Sequence, residues 1–154
     1  MDPRLRIEGG RVWWDGVELV CKHMPCAHEQ PIRLAALSPG CQFLATYAAD
    51  CDVRRWDLRC PAAPGLYVTS AAEKDFRGVL VNDNGTVFIW DYLFSLRVFS
   101  KKKHGVLLRT RGEYDPVPCR WDAIVGMSLS DGCLVIDTQG HRFRQAQDGS
   151  WQEI

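Results

Sequence analysis

Turn-forming residues interrupt this 154-residue chain about every ten positions, and that spacing constrains its fold more than any other feature. Glu8-Gly9-Gly10, Asp15-Gly16, Ser38-Pro39-Gly40, Ala49 to Asp52, Asp83-Asn84-Gly85, Ser130-Asp131-Gly132 and Thr138-Gln139-Gly140 each close a short run in which apolar and polar residues alternate. A period of two is that of a half-buried strand, and breakers this close leave no room for a stable helix. Strands are expected at Arg4–Ile7, Arg11–Trp14, Val17–Cys21, Ile32–Leu37, Phe43–Tyr47, Val53–Trp56, Leu66–Ser70, Gly78–Val81, Thr86–Trp90, Tyr92–Phe99, Ile124–Leu129, Cys133–Asp137 and His141–Arg144. Within Tyr92–Phe99, Tyr92, Phe94, Leu96 and Val98 would share one face. Ser70-Ala71-Ala72-Glu73 has capping-box spacing, enough for a single helical turn. Lys101 to Arg120, with Pro116 and Pro118, reads as the longest exposed loop.

With 46% apolar and 25% charged residues the chain has the means to build an ordinary core, and its length suits one domain. Nineteen basic residues balance nineteen acidic ones, which removes any whole-molecule field toward nucleic acid or an anionic membrane. No run is apolar enough for a membrane helix, and Met-Asp-Pro-Arg-Leu-Arg lacks the apolar centre of a secretory signal, so an intracellular, cytoplasmic or nuclear, protein is expected. Cys21, Cys26, Cys41, Cys51, Cys60, Cys119 and Cys133 are odd in number and irregular in spacing. They are expected as reduced thiols serving as small buried hydrophobes.

The chain also repeats itself. Trp56-Asp57 and Trp90-Asp91 lie 90 − 56 = 34 residues apart, and an ungapped alignment carries Ile32 onto Leu66, Leu34 onto Val68, Asp50 onto Asn84 and Val53 onto Val87. Trp14-Asp15 lies 42 residues before the first pair, and Trp121-Asp122 is a fourth. The run from His28-Glu-Gln-Pro-Ile-Arg-Leu through Ser38-Pro-Gly, Phe43-Leu-Ala-Thr46, Asp50 and Val53-Arg-Arg-Trp56-Asp57-Leu58 resembles one blade of the WD-repeat family of β-propellers. The resemblance implies a structural tetrad of His28, Thr46, Asp50 and Trp56, in which the hydroxyl accepts from the indole and the carboxylate holds the imidazole. The second unit departs from it, with Ala62, Leu80 and Asn84 at three tetrad positions, and Ala27 replaces the family's glycine ahead of His28. The expected architecture is all-β, a small or partial WD-like propeller of three to four short antiparallel blades forming one domain over 1–154. Its units fall approximately at 1–26, 27–64, 65–104 and 105–154. Blades of this family take about 40–45 residues, so an open fragment whose strand edges another chain covers is favoured over a closed ring.

Three functional readings compete. Cys21, His23, Cys26 and His28 place four soft ligands within eight residues, a set that would take zinc. Against it, the spacing is unlike paired zinc knuckles, and the blade tetrad claims His28. Lys101, Lys102 and Lys103, with Arg109 and Arg111 in the basic 97–120 stretch, form a local cationic region to which a phosphate backbone could dock, although no aromatic platform is interleaved with them. Neither Gly-x-Ser-x-Gly nor a phosphate-cradling glycine loop occurs, and Asn84-Gly85-Thr86 reads as a tight turn rather than a glycosylation site. The leading expectation is a non-catalytic scaffold without cofactor, a subunit in an oligomer or hetero-complex with other protein chains and no membrane contact. Trp13, Phe99 and Trp151 are its candidate interface residues.

Overall fold

A computed structural model describes residues 2–70, 76–91, 96–103, 106–109, 124–131, 133–138, 140–146 and 150–154. The first sheet contains β1 (Leu5–Glu8), β2 (Arg11–Trp14) and β3 (Val17–Leu19). The second contains β4 (Ile32–Leu37), β5 (Phe43–Ala48), β6 (Asp52–Asp57) and β7 (Leu66–Ser70). The third contains β8 (Phe76–Val81), β9 (Val87–Asp91), β10 (Leu96–Lys103) and β11 (Val106–Arg109). The fourth contains β12 (Ile124–Ser130), β13 (Cys133–Thr138), β14 (Arg142–Gln145) and β15 (Trp151–Glu153). Each sheet is an antiparallel meander with its strands in sequence order. The tight connections follow from residue chemistry: Asp15 and Gly16 both take positive φ, 50° and 82°, the geometry of a type I′ hairpin turn. Among the described residues no helix is long and apolar enough to cross a membrane.

Three apolar clusters join the sheets in series. Val12, Trp14 and Leu19 of the first sheet pack with Leu44, Trp56 and Leu58 of the second. Phe43, Tyr47 and Val53 on the opposite side of the second sheet pack with Val79, Val81, Val87 and Ile89 of the third. Phe88 and Val98 then pack with Leu134, Ile136 and Phe143 of the fourth. Consecutive residues of one strand thus serve different clusters, as Phe43 and Leu44 do, which is why β5 is buried along its whole length. No described cluster joins the fourth sheet back to the first. Among the described residues the four sheets pack face to face in series, as an open arc.

Several expectations need correction. β7 pairs with β6, so the second unit extends to Ser70 rather than ending near 64. The 34-residue repeat is displaced by one strand: it lays β6 on β9, yet Trp56 is on the third strand of its sheet and Trp90 on the second. Trp90 of β9 pairs with Leu96 of β10, and of the expected Tyr92–Phe99 strand only Leu96–Phe99 falls within the described residues. Tyr92 and Phe94 lie outside the described residues. The expected loop at Lys101 to Arg120 begins instead with the paired strands β10 and β11. Phe99 is a core residue, 6% exposed, rather than an interface one, because it pairs with Val87 facing the second sheet. Trp13 is half-buried under the guanidinia of Arg6 and Arg11, centred 4.0 and 5.3 Å from its ring. The cysteines are unpaired where described, but Cys21, Cys26, Cys41, Cys51 and Cys133 are half-buried and Cys60 exposed rather than buried. Residues 71–73 of the capping-box segment, Trp121-Asp122, Cys119 and Arg111 lie outside the described residues, as does the Trp151 side chain.

Candidate functional site

The segment from Val20 to Pro31 has no regular structure, and β5, β6 and the turn between them hold it in place. Asp50 in that turn accepts from His28 Nδ1 at 3.1 and 3.2 Å and from the Glu29 amide at 3.3 Å. Its Oδ1 also caps the Asp52 amide at 3.0 Å, which fixes the carboxylate. Thr46 Oγ1 lies 2.6 Å from His28 Nε2, with Thr46 0% and His28 2% exposed. Burial holds the imidazole pKa below its ordinary 6.5, against the opposing pull of the Asp50 carboxylate. The ring is therefore neutral at neutral pH, carries its proton on the nitrogen facing Asp50, and accepts from the Thr46 hydroxyl.

The fourth expected member is placed elsewhere. Trp56 Nε1 donates to the Val20 carbonyl at 3.0 Å and not to Thr46, while its ring meets His28 only edge-on, with centroids 6.2 Å apart. The expected tetrad is a triad of His28, Thr46 and Asp50 beside a separately anchored indole. Gly65 makes this possible, because a Cβ there would sit 2.4 Å from the indole. Sequence reasoning also missed Arg54, whose Nη1 donates to the Ala27 carbonyl and to Cys21 Sγ, each at 2.9 Å, and whose Nη2 reaches Asp52 at 2.8 Å. A backbone acceptor such as Val20 leaves no trace in the side-chain pattern, and Arg54 resembles any other polar strand residue.

Cys21, His23, Cys26 and His28, weighed as an alternative zinc-binding set, are not brought together around one point. Among the described residues no group of three or more histidine, cysteine or acidic side chains is placed to hold a metal ion. Cys21 donates to the Ala27 carbonyl at 3.3 Å under the Arg54 guanidinium, and burial pushes its thiol pKa up, away from the thiolate a metal requires. Cys26 turns to the His28 carbonyl at 3.3 Å, His23 is exposed, and both His28 ring nitrogens are in use. Lys101, Lys102 and Lys103 end β10, opposite Leu108, Leu107 and Val106 of β11, and Arg109 pairs with Phe99.

No family model matches the chain, and no curated protein matches it. Solved structures do. It is similar to the computationally designed Ika8 protein, with 19% identity and a TM-score of 0.61, over 99% of this chain and 46% of that one. It is likewise similar to U3-55K, with 14% identity and a TM-score of 0.57, over 97% of this chain and 47% of that one. Both are propeller-like folds. The four small antiparallel sheets thus make this chain a partial β-propeller, spanning a little under half the length of these two structures.

Proposed function

We propose that this chain is a non-catalytic protein-interaction module of WD-repeat type, working inside the cell as a subunit of a larger assembly. The observation that carries the reading is the open arc: its sheets are locked in series by continuous apolar clusters, yet none returns from the fourth sheet to the first among the described residues. A rigid arc of this kind offers sheet edges and turns to partners at little conformational cost. Burial supports a non-catalytic role. His28, Thr46 and Asp50 have the hydroxyl–imidazole–carboxylate order of a nucleophilic triad, but a hydroxyl on a residue 0% exposed is out of reach of any substrate. The test is to isolate the tagged protein from its native cells and measure the particle mass. A stable particle heavier than the 17.5 kDa chain is expected, and recovery at single-chain mass overturns the reading.

A second reading, contact with nucleic-acid phosphate, draws on Lys101 to Lys103 beside the β10–β11 reversal. It predicts a salt-dependent mobility shift that disappears when the three lysines are replaced by alanine, and fails if no shift occurs at low salt.

A further inference from the structure

The layer between the second and third sheets is apolar along most of its length, with Phe43, Ala45, Tyr47 and Val53 meeting Val79, Val81, Val87 and Ile89. A cation stands in it. Arg55 follows Val53 by two residues on β6, shares its face, and is only 9% exposed. Its Nη1 donates to the Gly85 carbonyl at 2.7 Å, and its guanidinium lies 4.8 Å from the centre of the Phe43 ring. The β8–β9 turn leaves room for it: Gly85 takes a φ of +82°, and a Cβ there would collide with Nη1.

A guanidinium withdrawn from water is ordinarily matched by an opposite charge. Arg4, Arg11, Arg54, Arg59 and Arg142, all more exposed, each hold a carboxylate at 2.6–2.8 Å, whereas Arg55 holds none among the described residues. The two nearby acids are engaged elsewhere. Asp57 gives both oxygens to Arg59, at 2.9 and 2.8 Å, and Asp83 of the β8–β9 turn accepts from the Gly40 amide at 2.8 and 3.1 Å. Arg55 Nε is buried without a partner, and Nη2, likewise without one, is the nitrogen left open to a ligand. Burial holds the Arg55 pKa below its ordinary 12.5, opposed by Asp57 and reinforced by Arg59, yet a guanidinium stays charged at neutral pH. Arg59 lies over the same Phe43 ring, 5.1 Å from its centre. Two guanidinia and one carboxylate thus leave one positive charge unbalanced.

We propose that Arg55, with Arg59 beside it, binds one carboxylate at the end of the second and third sheets where the Gly40–Asp83 bond joins the β4–β5 and β8–β9 turns. A single unbalanced charge fits a monoanion rather than a phosphate dianion. The carboxylate belongs either to a free small acid or to a glutamate or aspartate side chain, and the experiment separates the two. The site goes beyond the interaction-module reading and does not depend on it, since every residue that forms it lies within the second and third sheets and their turns.

The probes are sodium acetate, inorganic phosphate and a blocked Gly-Gly-Glu-Gly-Gly peptide, each titrated into the 154-residue chain with sodium chloride holding the ionic strength constant. NMR signals of the Gly85 amide and the Arg59 side chain report occupancy. Acetate is expected to shift both saturably. Peptide binding at least as tight as that of acetate assigns the site to a side-chain carboxylate, and acetate binding without peptide binding assigns it to a free acid. Arg55→Gln keeps a donor for the Gly85 carbonyl but loses the charge, and is expected to abolish the shifts. Asp57→Asn keeps the oxygen that caps the Arg59 amide at 3.0 Å while removing the competing negative charge, and is expected to tighten acetate binding about threefold. That gain is one a misfolded variant could not show. The proposal is overturned if neither acetate nor peptide binds, if Arg55→Gln binds as the parent does, if Asp57→Asn binds no more tightly, or if phosphate binds more tightly than acetate. Such a failure leaves the assembly reading standing wherever the native particle still exceeds one chain in mass.

Discussion

Replacing Thr46 by valine removes one hydroxyl at nearly constant volume, and the cost of that change tests how the His28 site is wired. The imidazole Nε2 loses its 2.6 Å partner where Thr46 is 0% and His28 2% exposed, so no water replaces it. An unpaired buried acceptor costs about 1–3 kcal/mol. For a chain of this size, 2 kcal/mol lowers the melting temperature by about 4–8 °C. Trp56→Phe removes the indole donor from the Val20 carbonyl and should cost about 1–2 kcal/mol. Because Trp56 does not bond Thr46, the two losses should add to within about 0.5 kcal/mol in the double variant. Thr46→Val combined with His28→Ala should fall short of additivity by about 1 kcal/mol or more, since either change alone breaks the same bond. Urea denaturation followed by circular dichroism measures all of these. A Trp56–Thr46 coupling as large as the Thr46–His28 coupling would refute the wiring and restore the tetrad.

Acid should weaken the fold through His28. Its folded-state pKa lies below 6.5, so as pH falls the unfolded chain takes up the proton first; stability is complete above pH 6.5 and declines toward the folded-state pKa. A drop in melting temperature as pH falls below about 6.5 is expected, largely absent in His28→Gln, and equal drops in both proteins would count against it. The carboxyl of Asp57, held below its ordinary 3.8 chiefly by its hydrogen bond to Arg59, acts only at lower pH. Gly65→Ala should destabilise by about 1–3 kcal/mol because its Cβ would meet the Trp56 ring, whereas Gly140→Ala, with nothing within 4 Å, should stay within about 0.5 kcal/mol in thermal melts. Arg55→Met keeps the packing on Phe43, centred 4.8 Å away, but loses the 2.7 Å bond to the Gly85 carbonyl that ties the second sheet to the third. A loss of about 1–2 kcal/mol in urea midpoints is expected, and an unchanged midpoint would show that the bond contributes nothing.

Local chemistry made most strands legible. β4 and β7 match their expected bounds because turn residues or prolines flank them, and the Asn84-Gly85 turn closes with the Asn82 side chain accepting from the Asn84 and Thr86 amides at 3.0 and 2.9 Å. β11 was missed inside a charged stretch, since pairing with β10 rather than its own composition makes Val106–Arg109 a strand. Of the candidate site, His28, Thr46 and Asp50 could be read from the resemblance to one blade, and their hydrogen bonds join them as that resemblance implies. The four clustered cysteine and histidine residues were equally visible and did not converge, because proximity along an irregular segment says nothing about where side chains point.

Turn spacing, strand period and the absence of room for helices are properties of neighbouring residues, so the sequence by itself determined an all-β meander of short sheets. Which strand belongs to which sheet depends on hydrogen bonds between residues far apart in the chain, and only the tertiary structure decided that. Trp56 and Trp90 sit in the same dipeptide yet occupy different strand positions, with the indole of Trp56 bonded to a carbonyl 36 residues earlier. That β1 is an outer strand of its sheet among the described residues is likewise invisible in Leu5-Arg6-Ile7-Glu8, since a strand's place in a sheet is defined by what lies beside it in space.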